Sequence, residues 1–139
     1  MEELIRVEDI EKYYGSKNNI TKAVDRISFT VNRGEFTGIM GASGSGKTTL
    51  LNLLATVDMV TSGHIYYDQE DITKLNEDKM ADFRKNNLGF VFQDFNLLDT
   101  FSLKDNIFLP LVLAGRHHNE MEEMIKPIAA QLGITDLLK

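Results

Sequence analysis

The rhythm of apolar and polar positions changes several times along the chain, and each rhythm predicts an element. "LIRVEDIEKYY" (residues 4–14) and "KAVDRISFTV" (22–31) alternate in part and are rich in β-branched and aromatic residues, which predicts two strands. The polar "GSKNN" between them predicts a turn. "RGE" (33–35) predicts a second turn, leading into a short apolar strand, "FTGIM" (36–40). From Lys47 the period becomes that of a helix, with Leu50, Leu51, Leu53, Leu54 and Val57 expected on one buried face. "TSGHIYYDQEDI" (61–72) reads as a turn and a strand, and "NEDKMADFRKNN" as a polar helix capped by Asn76. "LGFVFQD" (88–94) reads as a short apolar strand that stops at a polar pair. "SLKDNIFLPLVLAG" and "NEMEEMIKPIAAQLGI" predict two further helices, closing with "TDLLK". Strands, a helix, more strands and then helices make an α/β fold with a helical appendage.

Composition narrows the partners. A chain of 139 residues suits one domain with a real core. Its net charge of −6 argues against nucleic acid as the main partner and against binding anionic lipid through its own surface. There are no cysteines, which excludes a disulfide framework and a thiolate metal site. The start, "MEELIRVEDI", lacks the basic and apolar regions of a secretory signal. The longest strongly apolar run, "IFLPLVLAG", is too short to span a bilayer. A cytoplasmic location is the expectation. His64, His117 and His118 have no companion carboxylate at metal-ligand spacing and are expected at the surface. Arg84 and Lys85 are expected at a solvated helix end.

The densest chemistry lies in residues 38–54, "GIMGASGSGKTTLLNLL". Gly41, Gly46, Lys47 and Thr48 fit the P-loop (Walker A) pattern G-x-x-x-x-G-K-[ST], with an extra glycine at Gly44. Glycines let successive backbone N–H groups point into one concavity, and the helix that follows adds its free amides and the positive end of its dipole. Lys47 has the reach to meet β- and γ-phosphates, and the Thr48 hydroxyl can ligate Mg²⁺. A glycine-rich surface loop that matches by chance is the bland alternative, on the order of one in a hundred or rarer at ordinary glycine usage. The loop also follows an expected strand and opens an expected helix, which is the context the motif requires. Kinases, GTPases and ATPases all remain open on the motif alone.

A resemblance narrows the choice. "EKYYG", "NRGEF", "GASGSGKTTLLN", "SGHIYYD" and "LGFVFQDFNLLDT" follow one another in an order that resembles the ATP-binding subunits of ABC transporters. The branch it resembles includes lipoprotein-releasing and macrolide exporters, and "FVFQDFNLLDT" looks most like bacitracin-type antimicrobial-peptide transporters. The resemblance implies a P-loop NTPase core, an antiparallel β subdomain plus a parallel sheet, followed by the start of a helical subdomain. Residues 1–94 would then form the nucleotide-binding core and 95–139 the start of the helical part. It implies ATP and Mg²⁺ as cofactors, with Gly41, Ser43, Gly44, Ser45, Gly46, Lys47, Thr48 and Thr49 around the phosphates and Thr48 on the metal. Tyr14 resembles the aromatic that stacks on adenine, with Tyr13 the weaker candidate and two strand-end tyrosines packed for burial the alternative. Stacking needs no hydroxyl, so Tyr14→Phe is expected to be nearly neutral. Gln93 resembles the Q-loop glutamine, a Mg²⁺ ligand and γ-phosphate sensor that works with Lys47 in catalysis. A rival reading makes Asp94 a Walker-B-like aspartate, and a third makes it a turn cap. Phe95, Leu97, Leu98 and Phe101 would line the groove for a membrane subunit or simply pack a core.

The resemblance also has a gap. The 139 residues contain no LSGGQ-type signature, no apolar strand ending in Asp-Glu and no switch histidine. This implies an N-terminal fragment with the C-terminal part of the fold missing, inactive by itself as an ATPase. The intact protein would be a homodimer of ATPase subunits on a transmembrane permease, peripheral at the inner face of the cell membrane. It would couple ATP hydrolysis to export or removal of antimicrobial peptides or other amphiphiles, with no nucleic-acid partner. Two alternatives stay open: a soluble ABC-type ATPase acting in translation or DNA maintenance, and a non-catalytic nucleotide-binding module.

Overall fold

The computed structural model describes residues 1–139. It divides into two compact units, Met1–Phe90 and Val91–Lys139. The first unit is built on a four-stranded antiparallel sheet in the order β2-β1-β3-β4, with β1 spanning Glu3–Ser16, β2 Asn19–Asn32, β3 Ser62–Tyr67 and β4 Glu70–Asp71. The polar stretch after Tyr14 makes a tight hairpin, pairing Ser16 with Asn19. β1 is the central strand: Val7 faces Phe29 of β2 on one side and Ile65 of β3 on the other. Its register shifts between Val7 and Ile10, where Asp9 adopts φ +45° and the Ser28 hydroxyl bonds both the Asp9 amide and its carboxylate. That bulge keeps Val7 and Ile10 both buried instead of sending the second one to solvent.

Helix α1 (Lys47–Leu54) and helix α2 (Glu77–Asn87) complete this unit. Val7, Ile10, Val24, Leu50, Leu53, Ile65, Ile72 and Phe83 form its core. Each such side chain removed from water contributes about 1.5–3 kcal/mol. Asn76 caps α2 as expected, its side-chain oxygen accepting from the Lys79 amide at 2.9 Å. Three expectations need correction. Leu51 and Val57 are 45% and 52% exposed: α1 is only two turns long, so Leu51 faces outward and Val57 lies past its end. Arg84 is not a solvated helix end, because its guanidinium donates to the Thr56 carbonyl (2.7 Å) and hydroxyl (3.1 Å) and ties α2 to the segment after α1.

The third correction concerns strands. Residues 36–40 and 88–94, expected as apolar strands, form no regular element and lie outside the sheet, with a bend at 93–94. Ile39 and Leu88 pack against the core of the first unit, while Phe36 and Met40 are 101% and 94% exposed. A buried parallel strand needs hydrogen-bonded neighbours and cover on both faces. No strand of this chain stands beside these two segments.

The second unit is helical. Helix α3 (Leu103–Leu113) is capped by Ser102, whose hydroxyl accepts from the Asp105 amide, and helix α4 (His118–Leu132) ends at Gly133 in the left-handed conformation. Phe108, Met121, Ile125 and Ala129 make its small core. Lys104 pairs with Glu122 between the two helices. Asn106 organises the loop before α3, accepting from the Leu98 amide (2.8 Å) and donating to the carbonyls of Leu98 (3.1 Å) and Ser102 (3.0 Å). No helix of the chain is long and apolar enough to cross a membrane.

Candidate phosphate-binding site

The loop over residues 41–46 joins the irregular segment before it to α1 and is held by its own backbone. The Ser45 amide donates to the Ala42 carbonyl at 3.1 Å, and the Leu50 amide to the Gly46 carbonyl at 2.9 Å. Gly46 occupies the N-cap of α1 at φ +97°, and a Cβ there would stand 2.2 Å from the Ala23 carbonyl oxygen of β2. Both the conformation and the space therefore require glycine. At Gly41 a Cβ would meet the Ser45 hydroxyl at 2.6 Å, and Gly44 turns the loop at φ +78°.

No side chain caps α1, so its first amides are left to solvent or an anion. Ser43, Gly44, Ser45 and Thr48 are exposed, Thr49 is half-buried, and all of them sit on the loop or the first turn of α1. The Lys47 ammonium folds back over the loop, donating to the carbonyls of Gly41 and Ala42 at 2.7 Å each, and lies 3.4 Å from the Ser45 hydroxyl. Beside the loop opens a cavity of about 420 Å³, bounded by Ala23, Val24 and Asp25 of β2 and by Gly41, Ser45 and Lys47. A phosphate chain fits this arrangement: it brings negative charge to uncapped amides and offers the ammonium better acceptors than two neutral carbonyls.

The two tyrosines at the end of β1 point to different partners. The Tyr13 hydroxyl donates to Glu11, which also pairs with Arg26. The Tyr14 hydroxyl donates to Asp58 at 2.5 Å, and the residue is 45% exposed. Asp58 in turn accepts from the Lys12 ammonium (3.0 Å) and the Met59 amide (2.8 Å). The hydrogen bond to Asp58 raises the Tyr14 pKa, with burial adding to it and the Thr49 hydroxyl opposing it. Burial works to raise the Asp58 pKa, but the bonds from Tyr14, Lys12 and the Met59 amide outweigh it and hold the carboxyl below its usual value.

Gln93 belongs to the second unit, where it is exposed in a bend over residues 93–94 with Asp94. Phe95, Leu97, Leu98 and Phe101 are exposed as well. Sequence reasoning missed Asp58 and Lys12. Lys12 carried a signal, since it lies two residues before Tyr14 on the same strand; Asp58, 44 residues away from Tyr14, carried none.

The ABC transporter family model matches residues 24–139. Over 138 residues the chain is 48% identical to the ABC transporter ATP-binding protein YxdL of Bacillus subtilis, covering 99% of this chain and 53% of that protein. It is 43% identical over 134 residues to the bacitracin export ATP-binding protein BceA of Halalkalibacterium halodurans, covering 96% of this chain and 53% of that one. The macrolide export ATP-binding/permease protein MacB of Hyphomonas neptunium is 39% identical over 131 residues, which cover 94% of this chain and 20% of MacB. Among solved structures, a dimeric, post-hydrolysis form of the ATP-binding cassette MJ0796 with ADP and phosphate superposes with a TM-score of 0.81 at 32% identity, covering 86% of this chain and 53% of that one. The chain thus spans about half the length of the first of these relatives.

Proposed function

The chain belongs to the ABC transporter family, and on that premise we propose that it is the nucleotide-binding portion of a transport ATPase. The observation that carries this is the loop over residues 41–48, with glycine required at its junction with α1, uncapped helix amides and a lysine held by neutral carbonyls and a hydroxyl, with no carboxylate partner. ATP lays its phosphates on the loop amides, from Ser43 through Thr49, with the negative charge at the positive end of α1. Lys47 exchanges the carbonyls of Gly41 and Ala42 for the β- and γ-phosphates. Thr48 offers its hydroxyl to Mg²⁺, which neutralises phosphate charge when bound. Tyr14 provides a face for the adenine base.

Gln93 is assigned to the metal and to sensing the γ-phosphate, which makes it a coupling residue more than a capture residue. Residues 1–94 act as the nucleotide core and 95–139 as the start of a helical subdomain. The relatives it matches are about twice as long, and in a protein of that length a further carboxylate would polarise the attacking water. In that longer protein, two copies close around ATP, as the dimeric likeness of MJ0796 supports, and act on a permease at the inner face of the membrane. The named relatives in bacitracin and macrolide export support peptides or other amphiphiles as the transported class.

The test is a titration of the full-length protein with a fluorescent ATP analogue, with and without Mg²⁺. Binding is expected for the wild-type protein and lost in Lys47→Ala. Unchanged affinity in that variant overturns the assignment of the loop.

A further inference from the structure

Tyr14 is held at both ends. Its backbone is fixed in β1, and its hydroxyl is fixed by Asp58, in the segment that follows α1. Asp58 is fixed in turn: its other oxygen takes the Lys12 ammonium at 3.0 Å and the Met59 amide at 2.8 Å, and the same ammonium donates to the Met59 carbonyl at 2.6 Å. The Lys12 ammonium also stands over one face of the Tyr14 ring, 5.1 Å from its centre. One face of the ring is therefore backed by a cation, and Tyr14 as a whole remains 45% exposed.

We propose that Asp58 is a positioning residue for nucleotide binding: by holding the Tyr14 hydroxyl, it fixes the plane of the ring and presents the face away from Lys12 to the base. This rests on the reading of Tyr14 as the platform for adenine. Base stacking tolerates any flat ring but requires its plane to be fixed, and a ring ordered only on binding weakens affinity through the freedom it loses. The bond to Asp58 removes that freedom before the nucleotide arrives. It also connects the platform to the far end of the helix whose N-terminus receives the phosphates, so the base and phosphate contacts share one scaffold. On stacking alone phenylalanine would serve at position 14; with the hydroxyl acting as an anchor, it does not serve equally.

The experiment measures dissociation constants of full-length protein for ATP and for inorganic tripolyphosphate, which has the phosphates and no base. Tyr14→Phe, which leaves the contacts of Asp58 with Lys12 and Met59 in place, is expected to weaken ATP roughly fivefold and leave tripolyphosphate unchanged. Asp58→Ala is expected to do the same, and Tyr14→Phe added to Asp58→Ala to do nothing more. Additive effects, an unaffected Tyr14→Phe, or equal losses for ATP and tripolyphosphate overturn the positioning role. If Asp58→Ala does not fold, Tyr14→Phe decides by itself. Tyr14→Ala separates the underlying reading: an unchanged ratio of ATP to tripolyphosphate affinity means that Tyr14 is no platform for the base at all. A lowered ratio with Tyr14→Phe neutral removes only the role of Asp58.

Discussion

Residues 4–14 and residues 36–40 both carry the apolar, β-favouring composition of a strand, yet only the first became one. β1 has β2 on one side through a tight hairpin and β3, much farther along the chain, on the other. Residues 36–40 have no neighbouring strand, so only Ile39 finds cover while Phe36 and Met40 stand in solvent. The difference teaches that a strand is defined by what pairs with it. An antiparallel hairpin supplies its own partner through a short turn, whereas a strand of a parallel sheet depends on distant segments. The glycine loop over residues 41–46 begins where this unsupported segment ends. Its shape must then come from the side that is complete: α1, and the β2 carbonyl of Ala23 against Gly46.

The largest expected contrast is in amide hydrogen exchange. The amides of Ile5, Arg6 and Val7 in the centre of the sheet should exchange about a thousandfold or more slowly than those of residues 36–40, because their exchange requires global opening. Comparable protection of both segments would mean that residues 36–40 acquire strand partners in solution, for instance from a second copy. The same contrast appears in stability. Ile10→Ala, at a site with no exposed surface, should lower unfolding free energy by about 2–5 kcal/mol in urea, and Phe36→Ala by no more than about 0.5 kcal/mol. A large loss at Phe36 would break the comparison.

How much could be read from the sequence follows the same division. The hairpin, the two-turn helix after the loop and the Asn76 cap were legible because their partners lie within a few residues. The glycine loop over residues 41–46 was legible as a loop for a related reason: its glycines answer to backbone geometry a few residues wide, as Gly41 against Ser45 shows. Leu51 was misplaced because an eight-residue helix shows too little period to define its buried face. Arg84 and Asp58 were missed because their partners, Thr56 and Tyr14, lie 28 and 44 residues away. The strands expected at 36–40 and 88–94 carried the right composition; composition says nothing about whether neighbours exist.

Helix caps sharpen this point, since they close within three residues in either unit. Asn76→Ala on α2 and Ser102→Ala on α3 should each weaken the unit they belong to by about 1 kcal/mol. Protection of the first turn of each helix, followed by exchange, measures it. Loss at one cap with none at the other would show that local closure is not what stabilises these helices.

The smallest effect concerns the carboxylate at the far edge of the sheet. Asp71 closes β4 onto the short 3₁₀ turn over Ile72–Lys74, accepting from the Thr73 amide at 3.0 Å and from the Thr73 hydroxyl, with His64 of β3 at 2.8 Å. Burial works to raise its pKa, but the bonds from Thr73 and His64 outweigh it, so the folded-state value lies below the ordinary 3.8. A depressed carboxyl stabilises the fold at pH values above the unfolded-state pKa, and that contribution is lost as pH falls through the folded one. Urea midpoints should therefore hold level from neutral pH down to about pH 4 on account of this group and fall below it. Asp71→Asn should be less stable than the wild-type protein at pH 7, and the gap should narrow as pH drops toward 3. A gap that stays constant with pH would mean that the charge on Asp71 contributes nothing, and that its effect comes from hydrogen-bond geometry rather than ionisation.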